Sequence, residues 1–323
     1  MTTKKGEKVP LPESSPLPEI PANKHVEENG NGKNAEDAED SAKEQQQRQQ
    51  SFNGLTAKEW ALQSRNVWND VSSPRQAKHL AHGATFSVKL ASRLIRMYSR
   101  QNDWVLDPFL GTGTTLEACR ETGRNGIGIE LSEEFLPACE AICQQERLFA
   151  STVIRVVPGD CRHLLDHVAP NQIQLVVTSP PYANFIQKSE EDRRKTHKQS
   201  KIVLENRSKA RHYSDRPEDF GNLPYPEFLA EIQVLMEHLF IATRPGGYNV
   251  WVVKDARDTQ HGIPYVPFHA DLARAGEEVG FRWHDLIVWD QNERRKLVLL
   301  GYPSVFYTNQ NCSFLIVLRK PAN

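Results

Sequence analysis

Between residues 104 and 318 the chain alternates short apolar runs with segments of helical period, and this alternation restricts the fold more than any other feature. Apolar runs of strand length fall at 104–109, 126–131, 152–157, 173–178, 248–253, 281–289 and 314–318. Helical spacing fits 113–122, 133–147, 226–242 and 267–279. Strands separated by helices do not pair as hairpins. Each connection crosses over, which gives a parallel sheet with helices on both faces. The last two runs have no helix between them, so the final strand is expected to return antiparallel. The expected fold is α/β: a doubly wound, mostly parallel seven-stranded sheet with an antiparallel last strand. Upstream, Phe86, Leu90, Leu94, Ile95 and Tyr98 keep the spacing of one further helix over 84–98.

In a sheet of this kind ligands bind beyond the carboxyl ends of the strands. The first run ends in Asp107-Pro-Phe-Leu-Gly-Thr-Gly-Thr-Thr115, an acid followed by glycines that open a helix. Gly111 and Gly113 let the backbone turn tightly and approach a ligand at the helix N-terminus. The second run ends in Glu130, where a carboxylate can accept hydrogen bonds from two ribose hydroxyls. The third ends in Gly159-Asp160, where an acid can reach an adenine amino group. Each acid alone reads equally well as a helix cap or a surface charge. Three at successive strand ends point to a nucleotide-like cofactor. NAD is the rival ligand, but its G-x-G-x-x-G turn fails here, because Leu116 stands where the third glycine would fall.

The fourth run ends in Thr178-Ser-Pro-Pro-Tyr182. Proline lacks an N–H and fixes φ, so two in succession stiffen the turn and leave carbonyls placed to accept. An exocyclic amine is a poor nucleophile because its lone pair is delocalised into the ring. Hydrogen bonds from that amine to the Ser179 hydroxyl and the Pro180 carbonyl would favour a pyramidal nitrogen, and Tyr182 would stack on the base. No Pro-Cys pair occupies this place, which disfavours covalent thiol attack on carbon-5 of cytosine.

The net charge of −1 does not advertise a nucleic-acid partner, but phosphate contacts are local. Residues 183–224 interrupt the apolar period and are basic over Lys188, Arg193, Arg194, Lys195, Lys198 and Arg211. That stretch reads either as a solvated excursion or as a DNA contact. Residues 1–52 are rich in Pro, Glu, Asn and Gln and poor in large apolar side chains, so a disordered tail is expected there. Residues 53–323 would hold the catalytic domain. Five cysteines at irregular spacing suggest neither a disulfide framework nor a metal site. No apolar run reaches membrane-spanning length and no apolar signal segment opens the chain, so a cytoplasmic location is expected.

Together the loop 107–115, Glu130 and the turn 179–182 resemble the amino-methyltransferases of bacterial restriction–modification systems. His82-Gly-Ala-Thr-Phe86 is similar to the family segment His-x-Ala-x-Phe-Pro that lines the methionine end of the cofactor, with Ser87 in place of the proline. Arg244-Pro-Gly-Gly247 resembles the turn before the fifth strand. The resemblance implies S-adenosylmethionine as cofactor, held by Thr85, Phe86, Asp107, Phe109, Gly111, Gly113, Thr114, Glu130, Leu131, Asp160 and Cys161. It implies catalysis by Ser179, Pro180, Pro181 and Tyr182, with no metal. In this family a serine opening the motif favours N4 of cytosine, while Asp or Asn favours N6 of adenine. The implied activity is N4 methylation of a cytosine flipped out of duplex DNA. N6-adenine methylation and methylation of an RNA base are the alternatives. The basic insertion would contact DNA, and a cognate restriction endonuclease and a nucleoid location are further implications. A degenerate, merely DNA-binding relative is disfavoured because both motifs are intact.

Overall fold

The computed structural model describes residues 33–72, 86–144, 152–184, 216–258, 262–294 and 304–322. Its strands are β1 (Val67–Trp68), β2 (Trp104–Asp107), β3 (Asn125–Glu130), β4 (Ile154–Pro158), β5 (Ile173–Thr178), β6 (Thr243–Val253), β7 (Ala256–Asp258), β8 (Ile263–Val266), β9 (Arg282–Asp290) and β10 (Cys312–Arg319). Eight of them form one sheet in the order β1-β9-β10-β6-β5-β2-β3-β4, and β7 pairs with β8 apart from it. β10 runs antiparallel between β9 and β6, and every other pairing in the large sheet is parallel. The expected seven strands are present in the expected sense. The eighth, β1, is two residues long and pairs with the outer edge of β9, which is too short for any period to mark.

Helices are α1 (Lys33–Gln50), α2 (Ala57–Gln63), α3 (Val88–Tyr98), α4 (Thr114–Thr122), α5 (Leu136–Gln144), α6 (Tyr225–Ala242) and α7 (Phe268–Val279). Strand side chains alternate between two buried layers, as period-two geometry requires. On one face Trp251 and Val253 of β6 and Ile316 and Leu318 of β10 pack with Phe228 and Ile232 of α6 and with Phe268 and Leu272 of α7. On the other, Val250 and Val252 of β6 and Leu315 and Val317 of β10 pack with Leu90, Leu94 and Ile95 of α3. Both faces are therefore dry, which accounts for the near-continuous apolar runs in the sequence. No described helix is long and apolar enough to cross a membrane.

The chain divides into Met1–Glu44 and Gln45–Asn323. Helix α1 covers Lys33–Gln50, within residues 1–52. Its Ala, Glu, Lys, Gln and Arg residues are strong helix formers, a preference that hydropathy does not register. In its last turn, Arg48 donates to both carboxylate oxygens of Glu59, at 2.9 and 2.8 Å, and Glu59 closes a capping box with Thr56. The Arg100 side chain donates to the Phe52 carbonyl at 2.8 Å.

Crossovers from β2 lead outward through β3 to β4, whereas β5 and β6 build in the opposite direction. The chain thus reverses its order between β2 and β5. A crevice opens beyond their carboxyl ends at such a point.

Candidate active site

Asp107 closes β2 and is almost wholly buried. One of its oxygens accepts the Thr178 hydroxyl at 2.7 Å and the Phe109 N–H at 3.1 Å. The other accepts the Thr115 hydroxyl at 2.5 Å. This carboxylate therefore fastens the end of β2 to the end of β5 and to the first turn of α4. Both of its oxygens are engaged by the protein, and it is not among the residues that line the cleft. Burial pushes its carboxyl up to about 6, against the pull of those three hydrogen bonds.

Above it lies a cleft of about 610 Å³ including its open mouth. Phe109, Gly111, Glu130, Leu131, Asp160 and Cys161 line it, and so do Ser179 and Pro181 of the fourth strand end. The wall facing β3 and β4 is completed by Ser132, Phe135 and the 218–220 segment, none of which the sequence pattern singled out. Phe220 crosses Phe109 edge-on at 5.4 Å, which forms an aromatic side to the cleft.

Glu130, at the end of β3, accepts the Gly111 N–H at 2.6 Å and the Ser132 N–H at 2.7 Å, one on each oxygen. A carboxylate offers about four acceptor positions, so two remain for hydroxyl donors. Burial raises its carboxyl to about 7, with Asp107 and Asp219 adding to the rise and the two N–H bonds opposing it. Asp160 caps the short 3-10 turn Cys161–Asp166 through the Arg162 N–H at 2.9 Å and pairs with the Arg162 guanidinium at 2.6 Å. Arg162 also bonds Glu231 at 2.7 Å and lies over the Phe220 ring. Asp160 is thus a cleft residue already shared with an arginine.

Gly113 stands before α4 with φ 89°, and a Cβ there would come within 2.4 Å of Ile142 in α5. It lets α4 and α5 pack closely and does not line the cleft. The next residue, Thr114, is buried, and its hydroxyl has no partner among the described residues. Gly128 serves β3 in the same way, since its Cβ would meet Leu110 of the loop at 2.5 Å. Phe86 packs with Trp68, Val71 and Leu90 in the core layer on the far face, just before α3 starts at Val88. Thr85, the other residue assigned to the methionine end, lies outside the described residues, as do Lys188, Arg193, Arg194, Lys195, Lys198 and Arg211.

The turn after β5 carries Ser179, Pro180, Pro181 and Tyr182, followed by Ala183 at a positive φ of 46°. The Tyr182 ring is half-buried and 5.8 Å from the Phe268 ring at the start of α7. A small polar cluster sits one residue further on, where Asp255 meets Tyr265 and His269. The sequence pattern does not single out this cluster. The available signal was Asp255 itself, a fourth acid just past a strand end.

The donor set suits an adenosine-bearing cofactor: an acid with spare acceptor positions at β3, aromatic walls, and a hydroxyl beside the first turn of α4. Comparison with known proteins agrees. A family model described as DNA methylase matches residues 3–141, a span that contains the loop 107–115 and Glu130. Type II methyltransferase M.MthZI of Methanothermobacter thermautotrophicus is 38% identical over 107 residues, 32% of this chain and 28% of that protein. Type II methyltransferase M.MjaI of Methanocaldococcus jannaschii is 51% identical over 57 residues, 18% of this chain and 19% of its own length. These matches span less than a third of each relative's length. Among solved structures, TrmN from Thermus thermophilus aligns over 77% of this chain and 55% of its own, with 16% identity and a TM-score of 0.44. Over residues 3–141 the chain is similar to the DNA methylase family, and its strand order and cleft chemistry are compatible with that likeness.

Proposed function

We propose that this protein methylates N4 of a cytosine flipped out of duplex DNA, with residues 53–323 as its catalytic domain. The observation that carries the reading is the fastening of the turn 179–182 to the cofactor loop through Thr178 and Asp107, which puts a hydrogen-bonding serine at the cleft. Bound S-adenosylmethionine supplies a methyl group on a positively charged sulfur. Glu130 would accept from its ribose, and Phe109 and Phe220 would flank its base. The Ser179 hydroxyl and Pro180 carbonyl accept from the target amine, and Tyr182 holds the target base by its face. Fixing donor and acceptor in line removes most of the entropic barrier, an effect worth ~7–11 kcal/mol in well-oriented systems.

The choice of cytosine rests on the serine that opens the turn. Residues 183–224 act as the DNA-contacting insertion, through Lys188, Arg193, Arg194, Lys195, Lys198 and Arg211. A restriction endonuclease cutting the same site is the expected partner, in line with the Type II names of the relatives, and the enzyme works in the cytoplasm on nucleoid DNA. Duplex DNA incubated with the protein and S-adenosylmethionine, digested to nucleosides and read by mass spectrometry, should yield N4-methylcytosine. 6-Methyladenine as the product would replace the base and keep the site, and methylation confined to RNA would refute the DNA reading. Neutralising Arg193, Arg194 and Lys195 together should flatten the salt dependence of DNA binding, at close to 0.9 log units per lost phosphate contact. An unchanged slope would return the stretch to a solvated loop.

The cofactor reading has a pH signature. A carboxyl raised in the folded state favours the fold below its unfolded value of 4.5 and loses that contribution as pH rises through about 7. For Glu130 the amount at stake is on the order of 3 kcal/mol. The free protein should therefore melt at a lower temperature near pH ~8 than near pH ~5. Glu130→Gln should shrink that difference. Ribose hydroxyls donate to the ionised carboxylate, so affinity for S-adenosylmethionine should strengthen over the same interval. Calorimetry giving a pH-independent affinity would remove Glu130 from the cofactor site.

A further inference from the structure

Asp255 follows β6 by two residues, and the strand beside it, β5, leads into the turn 179–182. Thr178 is the register partner of Trp251, so Ser179 and Asp255 emerge from neighbouring strands on one edge of the sheet. Asp255 is buried, and its carboxylate meets three donors. The His269 Nδ1 lies 2.8 and 2.9 Å from its two oxygens, the His269 backbone N–H donates to it at 3.1 Å, and the Tyr265 hydroxyl donates from β8. A helix cap for α7 would need the backbone bond alone. The ring bond and the tyrosine bond call for another explanation.

A carboxylate accepts, so Nδ1 carries the hydrogen and Nε2 presents its lone pair outward. Nε2 has no hydrogen-bond partner among the described residues. The ring keeps a fixed plane because it stacks on Phe314 of β10 at 4.3 Å with a 22° tilt. The residue before it, Phe268, lies with its ring 5.8 Å from that of Tyr182, so the backbone that carries His269 is one residue from the partner of the ring assigned to the target base.

We propose that His269, aligned by Asp255, accepts the proton that the target amine loses during methyl transfer. The inference rests on the functional reading above. When the amine nitrogen forms its bond to carbon, the carbon–sulfur bond breaks and its electron pair stays on sulfur. The nitrogen then holds one hydrogen too many, and that proton passes to Nε2 and from there to water. His269 is the catalytic residue of this step and Asp255 its positioning residue. The titratable and charged groups around the pair are Tyr265 and Arg257 of the hairpin, Lys254, Cys312 and Asp290 on the sheet side, and Tyr225 with Asp271 from the helices. Imidazole is the side chain of this set that ordinarily titrates between pH ~5 and ~8.

Two measurements test the proposal. Single-turnover transfer to duplex DNA, with S-adenosylmethionine saturating at each pH, should show an acidic limb in the wild type. His269→Ala should lose that limb, slow transfer on the order of 10²-fold, and recover part of the rate with added imidazole. His269→Phe keeps a ring against Phe314 and should be as slow, with wild-type S-adenosylmethionine affinity as the sign of an intact fold. Independently of activity, nitrogen NMR of the free protein should find the His269 hydrogen on Nδ1, and Asp255→Asn should shift it toward Nε2. A wild type that methylates no nucleic acid would sink the functional reading. A wild type that methylates, beside His269 variants that keep both the rate and the acidic limb, would sink this proposal alone. A hydrogen found on Nε2 would overturn it as well.

Discussion

Tyr182→Ala should slow methyl transfer by about 5- to 150-fold while leaving S-adenosylmethionine affinity nearly unchanged, the equivalent of ~1–3 kcal/mol of lost base stacking. The expectation follows from geometry. Tyr182 is held against Phe268 on the side of α7, whereas the cofactor cleft is walled by Phe109 and Phe220. Its ring can therefore be deleted without touching the cofactor walls. Ser179 lines the cleft directly, and Ser179→Ala should cost about tenfold in the same assay, a typical net hydrogen bond. Transfer at the wild-type rate by both variants would dismiss the turn 179–182 as the catalytic element. Loss of cofactor affinity in Tyr182→Ala would mean that the ring belongs to the cofactor cleft.

The second large effect is on stability. Gly113 holds φ 89°, and a Cβ on it would press against Ile142 at 2.4 Å, with the Cys139 sulfur at 3.6 Å. Ile142 and Cys139 belong to the small core cluster with Leu110 and Leu116, so the contact has little room to relax. The left-handed backbone costs an L-residue ~1–2 kcal/mol and an overpacked contact ~1–3 kcal/mol. Gly113→Ala should therefore lose ~2–5 kcal/mol, and its Tm should fall by several degrees. The loop 107–115 would be displaced with it, weakening cofactor binding in proportion. An unchanged urea midpoint would show that α5 can retreat from α4 at no cost.

The parts of this architecture that were legible in the sequence share one property: they repeat or they punctuate. Seven apolar runs marked seven strands because both faces of the sheet are covered, and acids at strand ends marked the cleft. What escaped were features with no period. β1 is two residues, and the hairpin of β7 and β8 is largely exposed along β8. Helix α1 has polar residues on every side, so its tendency lay in propensity alone. Phe86 was not placed by pattern, because one apolar residue near a cofactor motif looks the same whether it faces a ligand or a core. His269 escaped because its partner stands fourteen positions away and the two meet only through the hairpin.

The bond between Thr178 and Asp107 spans 71 positions of sequence. The loop 107–115, Glu130 and the Gly111 contact to it are local, complete once β2 and β3 have paired. The turn 179–182 joins them only when β5 closes a long loop onto β2, the slower kind of step in folding. A nascent chain that has formed β2 through β4 thus holds most of the cleft lining and none of the turn 179–182, so the cleft takes shape in two stages, its loop and acid first and its serine last.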